Sequence, residues 1–379
     1  MRPRIGLDAR MVDTRTSGLG RYARELIRRL PALAPGADFV IIKRPVISEP
    51  LSTAPNVTEA VLPGLLDHPA NLLSAPGIDR LRLDLYHSLH HFLPPGLRAP
   101  RVVMTLHDLI WVEHAELTFS GRWAWPKARA NQVYGTATMW HALRRADHII
   151  AISAHSRDRA IARFHIPADR FTVIHHGVDH EGAPDAGTPR PEPPQPFLLS
   201  LGNSKPYKNL PTLLRAFAAV LATHPALELV IVGRGDSLPE LRRLSLQLGV
   251  DHGVTYTGMI DDAEVHALMR AARALVFPSL IEGFGFPAVE AMAAGCPVVT
   301  SDIPVIREIV GDAALLAPPT DPEALAAAIR RVVDDGALRE DLRNRGTAQA
   351  LTLRWDEAAR QTAAVYEGLL PDTITCSGG

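Results

Sequence analysis

Between residues 197 and 300 the chain alternates two kinds of segment, and that alternation limits the fold more than any other feature. The segments 197–201, 227–232, 274–277 and 297–300 are short and apolar almost throughout. Between them, 210–223, 238–248, 262–270 and 289–294 carry apolar residues every three or four positions, the mark of a helix with one buried face. Residues 254–257 read as extended, and Gly295 suits the position just past a helix end. A short strand with no polar side must be covered on both faces, which is the environment of a parallel sheet between helices.

The first half follows the same plan less cleanly. Strands are expected at 4–7, 39–43, 85–87, 102–105 and 148–152, with helices at 21–30 and around 134–145. The stretch 182–196, GAPDAGTPRPEPPQP, is too rich in proline for helix or sheet and reads as a semi-rigid linker. With 379 residues, two domains of roughly 100–200 residues each are expected. The divisions are a first domain 1–183, a linker 184–196, a second domain 197–352, a terminal helix 353–370 that crosses back to the first domain, and a tail 371–379. Both domains are α/β and doubly wound, facing a cleft, and ligands of such sheets sit at the carboxyl ends of the strands.

Composition excludes several classes. Hydrophobic residues at 46% and charged residues at 21% fit a folded chain with a sizeable core rather than a disordered one. The two cysteines, Cys296 and Cys376, cannot build a disulfide framework or a cysteine-rich zinc site. No apolar run approaches the ~18–20 residues that span a bilayer, and the first residues lack a signal-peptide pattern, so a cytoplasmic location is expected. The net charge of −1 hides an asymmetry: residues 1–183 hold 23 Lys and Arg against 17 Asp and Glu, while the remainder hold 17 against 24. A basic first half suits an anionic acceptor or a peripheral contact at the inner membrane face, and equally an uneven scatter of solvated charge. No nucleic-acid module is visible.

Chemistry concentrates after the expected strand 274–277. There Glu282-Gly-Phe-Gly-Phe-Pro-Ala-Val-Glu290 combines a glycine turn, a proline suited to the first turn of a helix, and two carboxylates eight positions apart. Gly283 and Gly285 allow close backbone approach, the helix start attracts phosphate, and carboxylates accept hydrogen bonds from paired sugar hydroxyls. A plain glycine turn with solvent-facing glutamates has the same spacing.

This segment resembles the donor-site signature of retaining glycosyltransferase family 4, of GT-B architecture. The following AMAAGCPVVTSD and the earlier Ser200-Leu-Gly-Asn-Ser-Lys-Pro-Tyr-Lys-Asn209 extend the match, which is weakest over 44–84 and after 370. The resemblance implies that Glu290 binds the ribose, that Glu282 binds the donor sugar, and that backbone N–H groups of Gly283, Phe284, Gly285 and Phe286 hold sugar and diphosphate. It implies that Lys208 neutralises the departing diphosphate, whose negative charge demands a cation. No metal or other cofactor is implied, and the Asp-x-Asp pattern of metal-dependent sugar transferases is missing. Many members carry an arginine near this lysine. Here Asn203 and Tyr207 stand at those places, and Lys205 offers a point charge instead of a bidentate fork.

In the first half, Ser17-Gly-Leu-Gly-Arg-Tyr22 resembles the family's glycine loop, implying donor contact by Gly18 and Gly20, although a lone Gly-x-Gly is compatible with many turns. His107, at the end of the strand 102–105, matches a histidine beside the donor sugar's reacting carbon and is counted with Glu282 and Lys208 as catalytic. The segment 174–179 reads as the end of the first domain's last strand. His87, His90 and His91 lie close in sequence, but without well-spaced carboxylates or cysteines a loop lining the acceptor side is expected rather than a metal site. The segment 230–236, VIVGRGD, lacks a third glycine and reads as a tight turn near the nucleotide, with Gly258 and Ile260 offering backbone groups to the base.

The expected function is transfer of a hexose, GDP-mannose being the favoured donor, to a saccharide or lipid-linked saccharide in polysaccharide biosynthesis. The alternatives are a nucleotide-sugar epimerase of the same architecture and a non-catalytic nucleotide-sugar-binding subunit.

Overall fold

The computed structural model describes residues 2–13, 18–64, 68–119, 124–179 and 196–370. The expected linker falls at 184–195 outside the described residues, as do Ser17, Cys376 and the tail 371–379. The chain divides into two compact units. The first comprises residues 1–109, 133–177 and 354–379, and the second comprises 110–132 and 178–353. Residues 110–132, placed with the first domain by the sequence, thus belong with the second unit.

The first unit holds seven strands: β1 (Arg4–Asp8), β2 (Asp38–Lys43), β3 (Val57–Val61), β4 (Leu85–Ser88), β5 (Arg101–Leu106), β6 (His148–Ala151) and β7 (Phe171–Val173). They form one sheet in the order β3-β2-β1-β4-β5-β6-β7, with every pair parallel. The second unit holds β8 (Phe197–Leu201), β9 (Glu228–Val232), β10 (Val254–Gly258), β11 (Ala274–Phe277), β12 (Val298–Ser301) and β13 (Leu315–Ala317), in the order β10-β9-β8-β11-β12-β13, again all parallel. Both sheets are therefore doubly wound. Their order reverses between β1 and β4 in one and between β8 and β11 in the other, and the carboxyl ends of those strands border the crevice such sheets use.

The central strands are apolar because helices cover both faces. Leu198, Leu229, Val276 and Val299 are buried on one face beside Leu213, Phe217, Leu325 and Ile329 from the helices Leu210–Leu221 and Pro322–Asp334, and the alternating Leu199, Leu275 and Val298 are buried on the other. Edge strands carry a weaker pattern. β3 is half exposed along its length and β13 is three residues long, which is why neither stood out in the sequence. The segment 174–179 is not a strand end, since β7 stops at Val173.

Two helices run longer than expected. Gly18–Leu33 begins at Gly18, which places Gly18 and Gly20 in its first turn rather than on a loop. Ala124–Arg145 starts ten residues before the expected 134. The terminal helix Trp355–Leu369 packs on Gly18–Leu33 within the first unit. Arg29 Nε donates to Asp356 Oδ1 at 2.6 Å, and Tyr366 OH meets His87 Nδ1 on β4 at 2.5 Å. Gly177 lies so close to this helix that a Cβ there would stand 2.2 Å from the Trp355 nitrogen.

Candidate active site

In the second unit, the loop after β8 is laced to the loop after β9. Gly202 N–H donates to Val232 O, and Ser204 N–H donates to Arg234 O, both at 3.1 Å. This approach requires glycine at Gly233, where φ is 134° and a Cβ would meet Gly202 O at 1.7 Å. The same loop is tied to the one after β11. Leu280 N–H donates to Tyr207 O at 2.8 Å, and Asn209 Nδ2 donates to Pro278 O at 3.0 Å. Asn209 Nδ2 also reaches Pro319 O at 2.6 Å, beyond β13, while Asn209 Oδ1 accepts from Thr212 Oγ1 at 2.7 Å. The residue sits in the left-handed region (φ 57°), which asparagine tolerates better than most side chains, at the start of the helix Leu210–Leu221.

These ties bring Lys208 and Glu282 together. Lys208 Nζ donates to Glu282 Oε1 at 2.6 Å, with side chains only 11% and 10% exposed. The ammonium also lies 4.7 Å from the Phe277 ring centre and 5.2 Å from that of Tyr207. Beyond Glu282 the backbone of Gly283, Phe284 and Gly285 is buried. Gly285 (φ 96°) precedes the helix Phe286–Ala293, with Pro287 in its first turn. A side chain at Gly285 would also strike Ile306, 2.6 Å from the Cβ position. Glu290 stands partly exposed on the second turn of that helix.

Other expected donor residues are more peripheral. Asn203 is exposed, and its Oδ1 accepts from Lys205 N–H at 3.2 Å. Lys205 Nζ lies 5.4 Å from the centre of the Phe119 ring, contributed by the segment 110–132. Gly258 ends β10 with φ 74°, and its carbonyl accepts from Gly233 N–H at 2.9 Å and from Thr257 Oγ1 at 3.0 Å. Its C=O is thus engaged within the fold; Ile260 follows, partly exposed.

Two buried hydroxyls escaped sequence reasoning. Ser204 Oγ and Ser279 Oγ, in the loops after β8 and β11, are shielded from solvent with no hydrogen-bond partner among the described residues. Buried polar groups without partners are uncommon, and both belong to the strand-end loops that carry Lys208 and Glu282. Asn209 was visible only as part of a motif, because its partners are far away in the chain.

In the first unit, His107 follows β5 and is buried. Its Nε2–H donates to Leu89 O at 3.0 Å, which leaves Nδ1 as the acceptor of the neutral ring. Its own carbonyl accepts from Ser156 Oγ at 3.3 Å. Burial pushes the imidazole down to about 4 against the opposing pull of the Leu89 hydrogen bond, so the ring is neutral at pH 7. His90 and His91 are buried beside it, their rings 3.9 Å apart at the centroids. His87 does not join them as a ligand set, because its ring is held between Tyr366 OH and Thr105 Oγ1. Among the described residues, no group of three or more His, Cys, Asp or Glu side chains could hold a metal ion. Asp8 and Arg10, at the end of β1, form a fully buried pair at 2.6 Å, and Tyr86 OH donates to the same carboxylate oxygen.

The second unit therefore places a lysine cation, a helix N-terminus and two carboxylates around the carboxyl ends of β8 and β11, a set suited to an anion that also carries hydroxyls. Comparison with known proteins agrees with that chemistry. The family model for glycosyl transferases group 1 matches residues 188–349, and the glycosyltransferase family 4 model matches residues 16–181. The O-antigen chain mannosyltransferase B of Escherichia coli is 30% identical over 381 residues, covering 93% of this chain and 96% of that protein. Among solved structures, sucrose-phosphate synthase from Thermosynechococcus elongatus shares the fold with a TM-score of 0.75 at 22% identity, covering 98% of this chain and 100% of that one. Anabaena Alr3699/HepE, in complex with UDP and glucose, does so with a TM-score of 0.71 at 19% identity, covering 97% and 100%. The chain belongs to glycosyltransferase family 4 and is a glycosyltransferase of GT-B architecture.

Proposed function

We propose that the chain moves a hexose from a nucleoside diphosphate sugar to a saccharide or lipid-linked saccharide, with retention at the anomeric carbon and without a metal cofactor. The observation that carries this reading is the Lys208–Glu282 pair at the carboxyl ends of β8 and β11. GDP-mannose is the favoured donor, because the Escherichia coli relative is named a mannosyltransferase of O-antigen chains, and such an acceptor belongs to polysaccharide assembly. The reaction runs at the cytoplasmic side, with a peripheral contact to the inner membrane face.

Lys208 draws the diphosphate by charge and gives up part of its bond to Glu282, whose freed oxygens accept from the sugar hydroxyls. Glu290 holds the ribose, and the N–H groups of Gly283–Phe286 face sugar and phosphate. Asn203 and Lys205 add polar and cationic contacts near the phosphates, and Gly258 and Ile260 offer backbone N–H groups to the base. In the first unit, neutral His107 hydrogen-bonds the donor sugar, and Gly18 and Gly20 let the backbone approach it. The bond from C1 to the diphosphate oxygen breaks as the acceptor oxygen bonds C1 on the same face. The acceptor's proton passes to the departing phosphoryl oxygen, so no carboxylate need act as a base. Lys208 stabilises the charge that builds on the leaving group.

A panel of nucleotide-sugars without acceptor tests this reading. One donor should be hydrolysed slowly to nucleoside diphosphate and free hexose, the hexose first appearing in the donor's anomeric form. Conversion of the donor to a different nucleotide-sugar would instead mark an epimerase, and failure to bind any donor would remove the reading altogether.

A further inference from the structure

The helix Ala124–Arg145 is apolar on two opposite sides. Inward it buries Ala128, Met139, Ala142 and Leu143. Its solvent-facing line runs Pro126, Ala130, Val133, Ala137, Trp140 and Arg144, recurring every three or four residues, so five successive outward positions are apolar. The large side chains are well exposed: Trp125 at 74%, Val133 at 62% and Trp140 at 48%. Four cations, Lys127, Arg129, Arg144 and Arg145, cluster toward the two ends, and the helix contains no carboxylate. The Arg144 guanidinium lies 4.8 Å from the Trp140 ring centre.

We propose that this outward face is an interfacial docking surface for an anionic phospholipid bilayer. An apolar line on a surface helix calls for a cover, and tryptophans flanked by lysine and arginine match the boundary between lipid headgroups and acyl chains. Lys127, Arg129 and Arg144 near an anionic leaflet add attraction, whereas Arg145 is engaged by Asp147 at 3.6 Å and by Ala99 O at 2.7 Å. The helix is about 33 Å long at ~1.5 Å per residue, and no described helix is long and apolar enough to cross a membrane, so it lies along the surface. A second copy is a poor cover, because two such faces would set cations against cations. Nucleic acid is poorer still, since its phosphates need donors along the line where Ala130, Val133 and Ala137 stand. The inference gives the peripheral membrane contact of the proposed function a surface, and it holds whatever the donor is.

The full chain is sedimented with vesicles of phosphatidylcholine, alone or mixed with phosphatidylglycerol. Wild-type protein should sediment with the mixed vesicles, weaken in high salt, and shift its tryptophan emission to the blue on binding. Lys127→Gln/Arg129→Gln should lower partitioning about fivefold per charge at low salt. Val133→Glu/Trp140→Glu should abolish the emission shift, and both variants should keep the wild-type melting temperature because the altered side chains are exposed. The proposal is overturned by wild-type protein that ignores anionic vesicles or binds neutral ones equally, or by variants that bind undiminished. A self-association that only the variants lose, or capture of a DNA duplex in preference to vesicles, would overturn it too.

Discussion

Asn209 shows how one side chain can set a site it does not belong to. Its amide joins the loop before it to Pro278, 69 positions along the chain, and to Pro319, 110 positions along. Lys208 is its immediate neighbour, so the position of the lysine opposite Glu282 follows from this clamp. Asn209→Ala leaves two carbonyls short of a donor and places a Cβ residue at φ 57° with no side-chain oxygen to compensate. A loss of about 1–3 kcal/mol in unfolding free energy is expected for the lost hydrogen bonds. Asn209→Gly relieves the backbone but not the carbonyls, so it should recover only part of that loss and leave donor turnover depressed. Denaturant melts and donor hydrolysis by the two variants check this, and equal, wild-type turnover in both would show that Lys208 is held by other means. Glu282 was legible from the glycine turn that follows an expected strand, and Lys208 only through the family resemblance of its segment. Their ion pair and the asparagine that sets it were not, because contacts over 69 to 110 positions leave no local periodicity.

At the scale of elements, the loops after β4, β5 and β7 surround a store of neutral histidines. Burial, with the neighbouring His107 ring, holds His87 and His91 down to about 3, burial alone holds His107 to about 4, and His90 and His176 are lower than their usual range as well. In the unfolded chain these rings take up protons near pH ~6.5, whereas the folded chain refuses them until about pH 4 or below. Unfolding therefore binds protons, and the stability these groups contribute is present above pH ~6.5 and is lost as the pH falls toward their folded values. The melting temperature should drop by several degrees between neutral pH and mildly acidic pH, on a slope steeper than one proton. A flat or rising melting temperature over that window would contradict the burial of these rings. Elements differ also in how they showed in the sequence. β8 and β11 are covered on both faces, and their expected limits coincide with the observed ones. β3 and β13 lie at sheet edges, where β3 carries polar residues and β13 is only three residues long. The helix Ala124–Arg145 lost its first turns in the reading because its outward line is apolar too, which erases the contrast that marks an amphipathic helix.

At the scale of the whole molecule, two doubly wound sheets that share their strand order except for the extra edge strand β7 carry different chemistry at their points of reversal. The first unit presents buried, uncharged imidazoles and a closed Asp8–Arg10 pair, and the second presents a cation beside carboxylates and a helix start. Among the described residues the second unit sets a lysine beside a helix start, so substitutions there should change nucleotide affinity most. Lys208 is then the group on which turnover depends most. The direct test is steady-state hydrolysis of the preferred nucleotide-sugar by the wild type and by Lys208→Met, a substitution that keeps the unbranched stem and removes the ammonium. Loss of the cation that meets the leaving group should lower kcat by about 10²–10³-fold while KM changes far less. A kcat within a fewfold of the wild type would contradict the assignment of this pair to the departing diphosphate.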